Sequence, residues 1–326
     1  MIPIFLVASR RSGTTLLRLM LNSHPNLHWE RGWEFVTRII GFNGEAPSQG
    51  QMQVLQKMLN LPTLAHFSSK SSSDDLQPLR SLLETYMVNK INNKQIKHFG
   101  TTVHVDTNRL YFLWPYAKYI HLVRDPRDIA ISVVKLGWES TYWHAATHWI
   151  KAERDWRLLA DRIAPESWIE IKYEDLINQA EVELTKILEF IGVPYSDQVF
   201  NYTKTSSYGL PDPSLIERWR GQLSSSNTSL VETRTAGMMQ SYGYEITQPI
   251  YKPNIFESTI LDIKNLLLTS LGRMKNYGLL TYCIGILVNR FHLAFLKGIL
   301  KKRIERNQKQ SILSLESKYR NVSKDN

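Results

Sequence analysis

Residues 4–21 constrain the fold more than any other stretch. Ile4-Phe5-Leu6-Val7-Ala8 is a short apolar run of β formers; it gives way to Ser9-Arg10-Arg11-Ser12-Gly13-Thr14-Thr15 before Leu16-Leu17-Arg18-Leu19-Met20-Leu21 resumes with helix formers. That order predicts strand, tight turn, helix. The turn has the chemistry of an anion site. Gly13 lets the backbone approach a ligand, and the first amides of the following helix have no partner inside it. The hydroxyls of Ser12, Thr14 and Thr15 add donors at the positive end of the helix dipole, and Arg10 and Arg11 bring formal charge.

The pattern recurs downstream. Lys118-Tyr119-Ile120-His121-Leu122-Val123 reads as a strand that ends in Arg124-Asp125-Pro126-Arg127-Asp128, with Pro126 near the first helical position, where its missing N–H costs nothing. Asp128 and Ser132, four apart, share a helix face that looks back toward the strand end. A third strand, Trp168 to Tyr173, leads to a helix around Val182–Phe190 that Gly192 and Pro194 stop. Repeated units of this kind predict an α/β domain with a mainly parallel sheet and helices on both faces. Ligands of such sheets bind outside the carboxyl ends of the strands. Two anion-friendly turns there imply a ligand with two separated anionic groups.

The first turn is not a nucleoside-triphosphate P-loop of Walker type: Ala8 holds the place of its first glycine and Thr14 that of its lysine. Arg-Ser-Gly-Thr-Thr-Leu-Leu-Arg after a first strand resembles instead the 5′-phosphosulfate loop of sulfotransferases that use 3′-phosphoadenosine 5′-phosphosulfate (PAPS), a P-loop-like fold. Arg124-Asp125-Pro126-Arg127-Asp128 with Ser132 is similar to the 3′-phosphate motif of that family. The resemblance runs from Ile4 to about Tyr244 and implies sulfuryl transfer from PAPS to a hydroxyl or amine, with no metal required. It assigns the 5′-phosphate to Arg10, Arg11, Ser12, Gly13, Thr14 and Thr15, and the 3′-phosphate to Arg124 and Ser132. It places Tyr173 near the adenine and makes Arg218 or Arg220 the arginine of a late segment closing over the 3′-phosphate. Arg11 would stabilise the leaving oxygen.

The base has several candidates. The tyrosylprotein branch, which shares Arg-Ser-Gly-Thr-Thr-Leu and the following His-Pro, uses a glutamate at the position that Gly32 occupies by simple counting, and Glu30 and Glu34 flank it. Glu30 is slightly preferred. Partial burial against Trp29, Trp33 or Phe35 would raise a carboxyl pKa there. Phe99 to Asp106 reads as a strand with His104 and Asp106 on one face, and His104 is the alternative base. His144 and His148 stand one turn apart without a third ligand nearby, which favours packing or acceptor contact over metal.

Composition sets the surroundings. A chain of 326 residues, 43% hydrophobic, can bury a large core, and the lone Cys283 excludes a disulfide framework and a multi-cysteine metal site. No secretory signal precedes the first strand, so a cytoplasmic setting is expected. The net charge of +10 is uneven: residues 251–326 hold 14 Lys+Arg against 5 Asp+Glu, leaving 26 against 25 for the first 250. Basicity confined to a tail argues against nucleic acid as a partner. The expected organisation is a sulfotransferase-like domain over 1–250, with 36–98 as an acceptor-binding cap, and a basic amphipathic helical tail over 251–326. Gly278 to Leu296 is apolar but interrupted by Arg290, and Lys297 to Arg303 follows. That suits residues 278–306 to the surface of an anionic membrane, with a helix packed on the globular body as the alternative. Two other functions stay open on the sequence: a P-loop-type nucleotide kinase, and a catalytically idle nucleotide-binding protein at a membrane.

Overall fold

The computed structural model describes residues 2–61, 75–91, 96–278, 281–282 and 284. The serine-rich stretch 68–75, which reads as a loop by composition, and the basic segment 278–306 therefore fall almost wholly outside the described residues. The elements in order are β1 (Ile4–Val7), α1 (Thr14–Asn22), β2 (Leu27–Trp29), α2 (Glu34–Ile39), α3 (Gln49–Met58), α4 (Gln77–Ile91), β3 (His98–Val103), α5 (Leu110–Leu113), β4 (Lys118–Val123) and α6 (Pro126–Lys135). There follow α7 (Tyr142–Ala160), β5 (Trp168–Lys172), α8 (Tyr173–Asn178), α9 (Ala180–Ile191), α10 (Tyr202–Thr205), α11 (Trp219–Gln222), α12 (Ser225–Met239) and α13 (Ile255–Tyr277).

The five strands form one parallel sheet in the order β2-β3-β1-β4-β5. β1 lies at its centre and is buried on both faces, which is why it reads as an unbroken apolar run. Its side chains alternate between two cores. Ile4 and Leu6 pack with Leu17 and Leu21 of α1 and Leu184 and Leu188 of α9; Phe5 and Val7 pack with Trp33, Trp114 and Tyr119. The register pairs Val7 with Val103 and with His121, so the segments after β1, β3 and β4 all leave from one edge of the sheet. β3 stops at Val103, three residues short of the sequence expectation. Asp106 turns left-handed (φ 53°), so His104 and Asp106 belong to the loop at the sheet edge and not to a strand face.

The chain divides into two compact units. One comprises residues 1–129, 146–223 and 235–246 and contains the sheet; the other comprises 130–145, 224–234 and the chain from 247.

Within the first unit His121 is fully buried on β4, with Nδ1 3.1 Å from Glu170 and Nε2 3.0 Å from Glu153, its ring stacked on Trp156 at 4.5 Å. Tyr242 closes the cluster at 5.8 Å, with the Arg157 guanidinium over the Tyr242 ring at 5.4 Å. Burial alone would push the imidazole pKa down; Glu153 and then Glu170 outweigh it and hold the pKa above its ordinary 6.5. A raised folded-state pKa gives stability that is fully present below pH 6.5 and lost as pH climbs through the folded value. Thermal unfolding followed from pH 6 upward should therefore show a loss of stability in the native chain that is absent from His121→Gln.

Candidate functional site

The segment between β1 and α1 has two residues in the left-handed region, Arg11 (φ 74°) and Gly13 (φ 90°). Such a conformation strains a residue with a Cβ by about 1–3 kcal/mol and is kept where it serves a site. Left-handed residues in such a turn are a device of anion-binding concavities; here the Ser12 amide closes the turn on the Ser9 carbonyl at 3.3 Å, just before the start of α1. No side chain caps that helix. Ser12 is completely buried and its hydroxyl has no hydrogen-bond partner, so a donor is held ready beside the uncapped amides. Thr14 is buried at the first helical position, whereas Arg11 and Thr15 are exposed.

Arg124, at the end of β4, lies beside this loop. Its Nη1 donates to the Arg11 carbonyl at 3.3 Å, and its Nη2 donates to Asp128 at 3.2 Å and to the Leu215 carbonyl at 2.6 Å. Its guanidinium stacks over Tyr173 at 4.1 Å from the ring centroid. The other face of this arrangement meets the loop: a Cβ on Gly13 would collide with the Tyr173 ring. Tyr173 is thus a spacer between the two anion turns. Asp128, fully buried, also accepts the Trp219 amide at 2.9 Å, tying the late segment to Arg124. Arg127 and Asp125 are not turned to a ligand; Arg127 forms a fork with Asp125 and lies 3.6 Å over the Trp219 ring. Of the two late arginines, Arg218 is a charge neighbour of Tyr173, whereas Arg220 is exposed and paired with Glu217. Ser132 follows Asp128 by one turn of α6.

The glutamates separate clearly. Glu30 accepts from Tyr86 at 2.9 and 3.0 Å and from Trp33 at 3.3 Å, with Lys90 at 3.3 Å. Burial pushes its pKa up, but His28, Tyr86, Trp33 and Lys90 together outweigh that and bring it down to about 2. The expectation that burial against Trp29, Trp33 or Phe35 would raise a carboxyl pKa is therefore corrected for Glu30: Trp33 donates its indole N–H to the carboxylate, and His28, Tyr86 and Lys90 stabilise it further. Glu34 lies by the anion loop, 3.9 Å from Arg10. Its carboxylate fills the space that a side chain on Gly32 would enter. His104 Nδ1 donates to the Ala8 carbonyl at 3.0 Å, which leaves Nε2 as an acceptor. Burial lowers the His104 pKa, Arg10 adds to this, and the Ala8 bond and Glu34 oppose it. A cavity of about 230 Å³ opens beside these groups, lined by Arg10, His104, Asp106, His148, Lys151 and Asp155. Asp155 accepts the Asp106 amide at 3.0 Å.

Known proteins carry the same signature. The profile of the Sulfotransferase family matches residues 3–197, which holds both anion turns and all five strands. The chain belongs to the sulfotransferase family. It is 23% identical over 211 residues to protein-tyrosine sulfotransferase A of Caenorhabditis elegans, covering 61% of this chain and 52% of that one. To protein-tyrosine sulfotransferase 1 of Danio rerio it is 25% identical over 219 residues, covering 61% and 55%. The chain spans about half the length of these relatives. A solved sulfotransferase domain from the curacin biosynthetic pathway shares the fold, with a TM-score of 0.54 and 20% identity over 75% of this chain and 98% of that domain.

In this member of the sulfotransferase family, the motifs named the two anion-friendly turns but not what braces them. The i, i+4 spacing of Arg124 and Asp128 carried part of that signal; the Trp219 amide and the Asp106 and Asp155 carboxylates had none, since they meet the site only through the fold. Replacing Arg124 with alanine should weaken binding of adenosine 3′,5′-bisphosphate by about 1.5–3 kcal/mol, the worth of a charged hydrogen bond. Calorimetry on the variant checks this, and an unchanged affinity would remove Arg124 from the site.

Proposed function

We propose that this chain transfers a sulfuryl group from PAPS to an acceptor hydroxyl or amine. The observation that carries the reading is the buried, unpartnered Ser12 hydroxyl at the uncapped start of α1, one loop away from Arg124. It supplies donors for one anion at the loop and a cation for a second at the end of β4. Ser12, Gly13, Thr14 and Thr15 hold the 5′-phosphate with Arg10; Arg124, Ser132 and Arg218 hold the 3′-phosphate; Tyr173 packs near the adenine. Arg11 meets the charge that develops on the leaving oxygen, where a fixed donor is worth most. The sulfur–oxygen bond to the phosphate breaks as one to the acceptor forms, and the acceptor gives up a proton.

His104 Nε2 takes that proton, and the Glu34 carboxylate stabilises the imidazolium that results. A neutral imidazole with its Nδ1–H already engaged is ready for this role. Membership of the sulfotransferase family and the absence of a Walker lysine both count against the kinase reading. The acceptor would enter by the cavity at His104, with residues 36–98 contributing as a cap to a domain over 1–250. A cytoplasmic place with peripheral attachment through residues 251–326 completes the proposal.

Calorimetric titration with adenosine 3′,5′-bisphosphate, and with ATP plus magnesium beside it, tests the donor. Selective binding of the bisphosphate supports PAPS; selective binding of ATP overturns it. The base is tested by the pH profile of kcat/KM. Its acid limb should fall below pH 6.5, because the His104 pKa is lowered from that value. His104→Gln should remove the limb and lower the rate by about 10²–10⁴-fold. Survival of the limb in that variant, and its loss in Glu34→Gln, would move the proton to Glu34; Glu30→Gln should leave the profile unchanged.

A further inference from the structure

Helix α13 of the second unit is built the reverse of an ordinary packed helix. Its polar residues do the anchoring. Asn265 Oδ1 accepts from the amides of Ser140 and Thr141 at 2.7 and 3.1 Å, its Nδ2 donates to Glu139 at 2.7 Å, Thr269 bonds Ser140 at 2.9 Å, and Asp262 meets His144 at 2.9 Å. Positions 262, 265 and 269 share one face of the helix. Phe256, Ile260, Ile263, Leu267 and Leu271 recur at the same periodicity on roughly the opposite side, and each is between 48% and 74% exposed. Isolated exposed apolar residues are ordinary; a stripe of five over four turns is an interaction surface.

Charge selects the occupant. Lys264 and Lys275 border one edge of the stripe, with Glu257 beside them, and residues 251–326 carry nine of the ten net positive charges of the chain. A second copy on this face would bring two such segments together and repel. An anionic lipid surface neutralises them while the stripe enters the acyl boundary. No helix among the described residues is long and apolar enough to cross a membrane, which fits a helix lying in the plane of the interface. We infer that the Phe256-Ile260-Ile263-Leu267-Leu271 face of α13 docks this protein on the surface of an anionic bilayer. The inference rests on the proposed peripheral attachment through residues 251–326, which it assigns to one helix face, and is separate from the transferase reading, since none of these residues belongs to that site.

The test uses the full chain. In a Cys283→Ser background, Ile263→Cys is labelled with an environment-sensitive fluorophore and mixed with vesicles of phosphatidylcholine alone or with phosphatidylglycerol added. The emission should be that of a water-exposed label in buffer, and should shift to the blue only with phosphatidylglycerol and less so at high salt. In parallel, the unlabelled double variant Ile263→Glu with Leu267→Glu should keep its thermal unfolding transition, because both positions are exposed, and lose flotation with anionic vesicles by at least about tenfold. Emission already blue-shifted in buffer would overturn the inference in favour of cover by residues 279–326 or by a second copy, which sedimentation separates. No shift with either vesicle, or undiminished flotation of the double variant, would overturn it as well.

Discussion

Arg11→Ala is expected to cut turnover by about 10²–10³-fold, as loss of one preorganised donor to a developing oxyanion does, while affinity for adenosine 3′,5′-bisphosphate changes only a few fold. The asymmetry follows from position. The Arg11 side chain is exposed and Ser12 is buried, so on the proposed assignment the resting phosphate would be held by Ser12 and the start of α1 rather than by Arg11. A residue that meets charge only as the bond breaks contributes to kcat and little to ground-state binding. The backbone adds nothing to either change, because alanine at φ 74° is no more strained than arginine. Steady-state kinetics beside calorimetry checks the split; equal losses in kcat and affinity would show Arg11 to be a binding residue only.

Gly13→Ala should cost more, and in a separable way. The position has φ 90°, which an L-residue resists by about 1–2 kcal/mol, and its new methyl would run into the Tyr173 ring. Both effects act on the loop proposed to hold the 5′-phosphate, so bisphosphate affinity should fall by about 10²-fold or more. Tyr173→Ala made alone should weaken binding too, through loss of the surface on which Arg124 rests. The pair should be markedly less harmful than the sum, since removing the ring removes the collision and leaves only the strain. Strict additivity in the double-mutant cycle would mean that the ring and the glycine do not share the space described.

How much of this was legible in the sequence depends on the distance between the residues involved. β1 and α1 were readable because a buried parallel strand and the helix after it leave a continuous local signal. The order β2-β3-β1-β4-β5 was not, because parallel neighbours are joined through long crossovers and no local pattern reports which strand lies next to which. At the site, Arg124 and the serine-glycine turn were found by motif. The choice between Glu30 and Glu34 was not, since it rests on Tyr86 and Lys90, more than fifty residues away on α4. His104 was placed on a strand one turn of alternation too long, because Val103-His104-Val105 alternates as strands do while the chain at Asp106 has already turned left-handed. Arg220 pairs with Glu217, a residue that turns left-handed at φ 48°, and periodicity registers neither fact.

The Tyr173 ring, set between Gly13 and the guanidinium of Arg124, works as a caliper jaw. Arg124 also grips the carbonyl of Arg11, so the gap between the two charge pockets is fixed by one aromatic thickness and one hydrogen bond. A gauge of that kind measures the span between two anions and is indifferent to either one alone. On the proposed donor site, nucleotides with a single phosphate group would engage one jaw and leave the other idle, so a donor would be accepted for its length before its base is read.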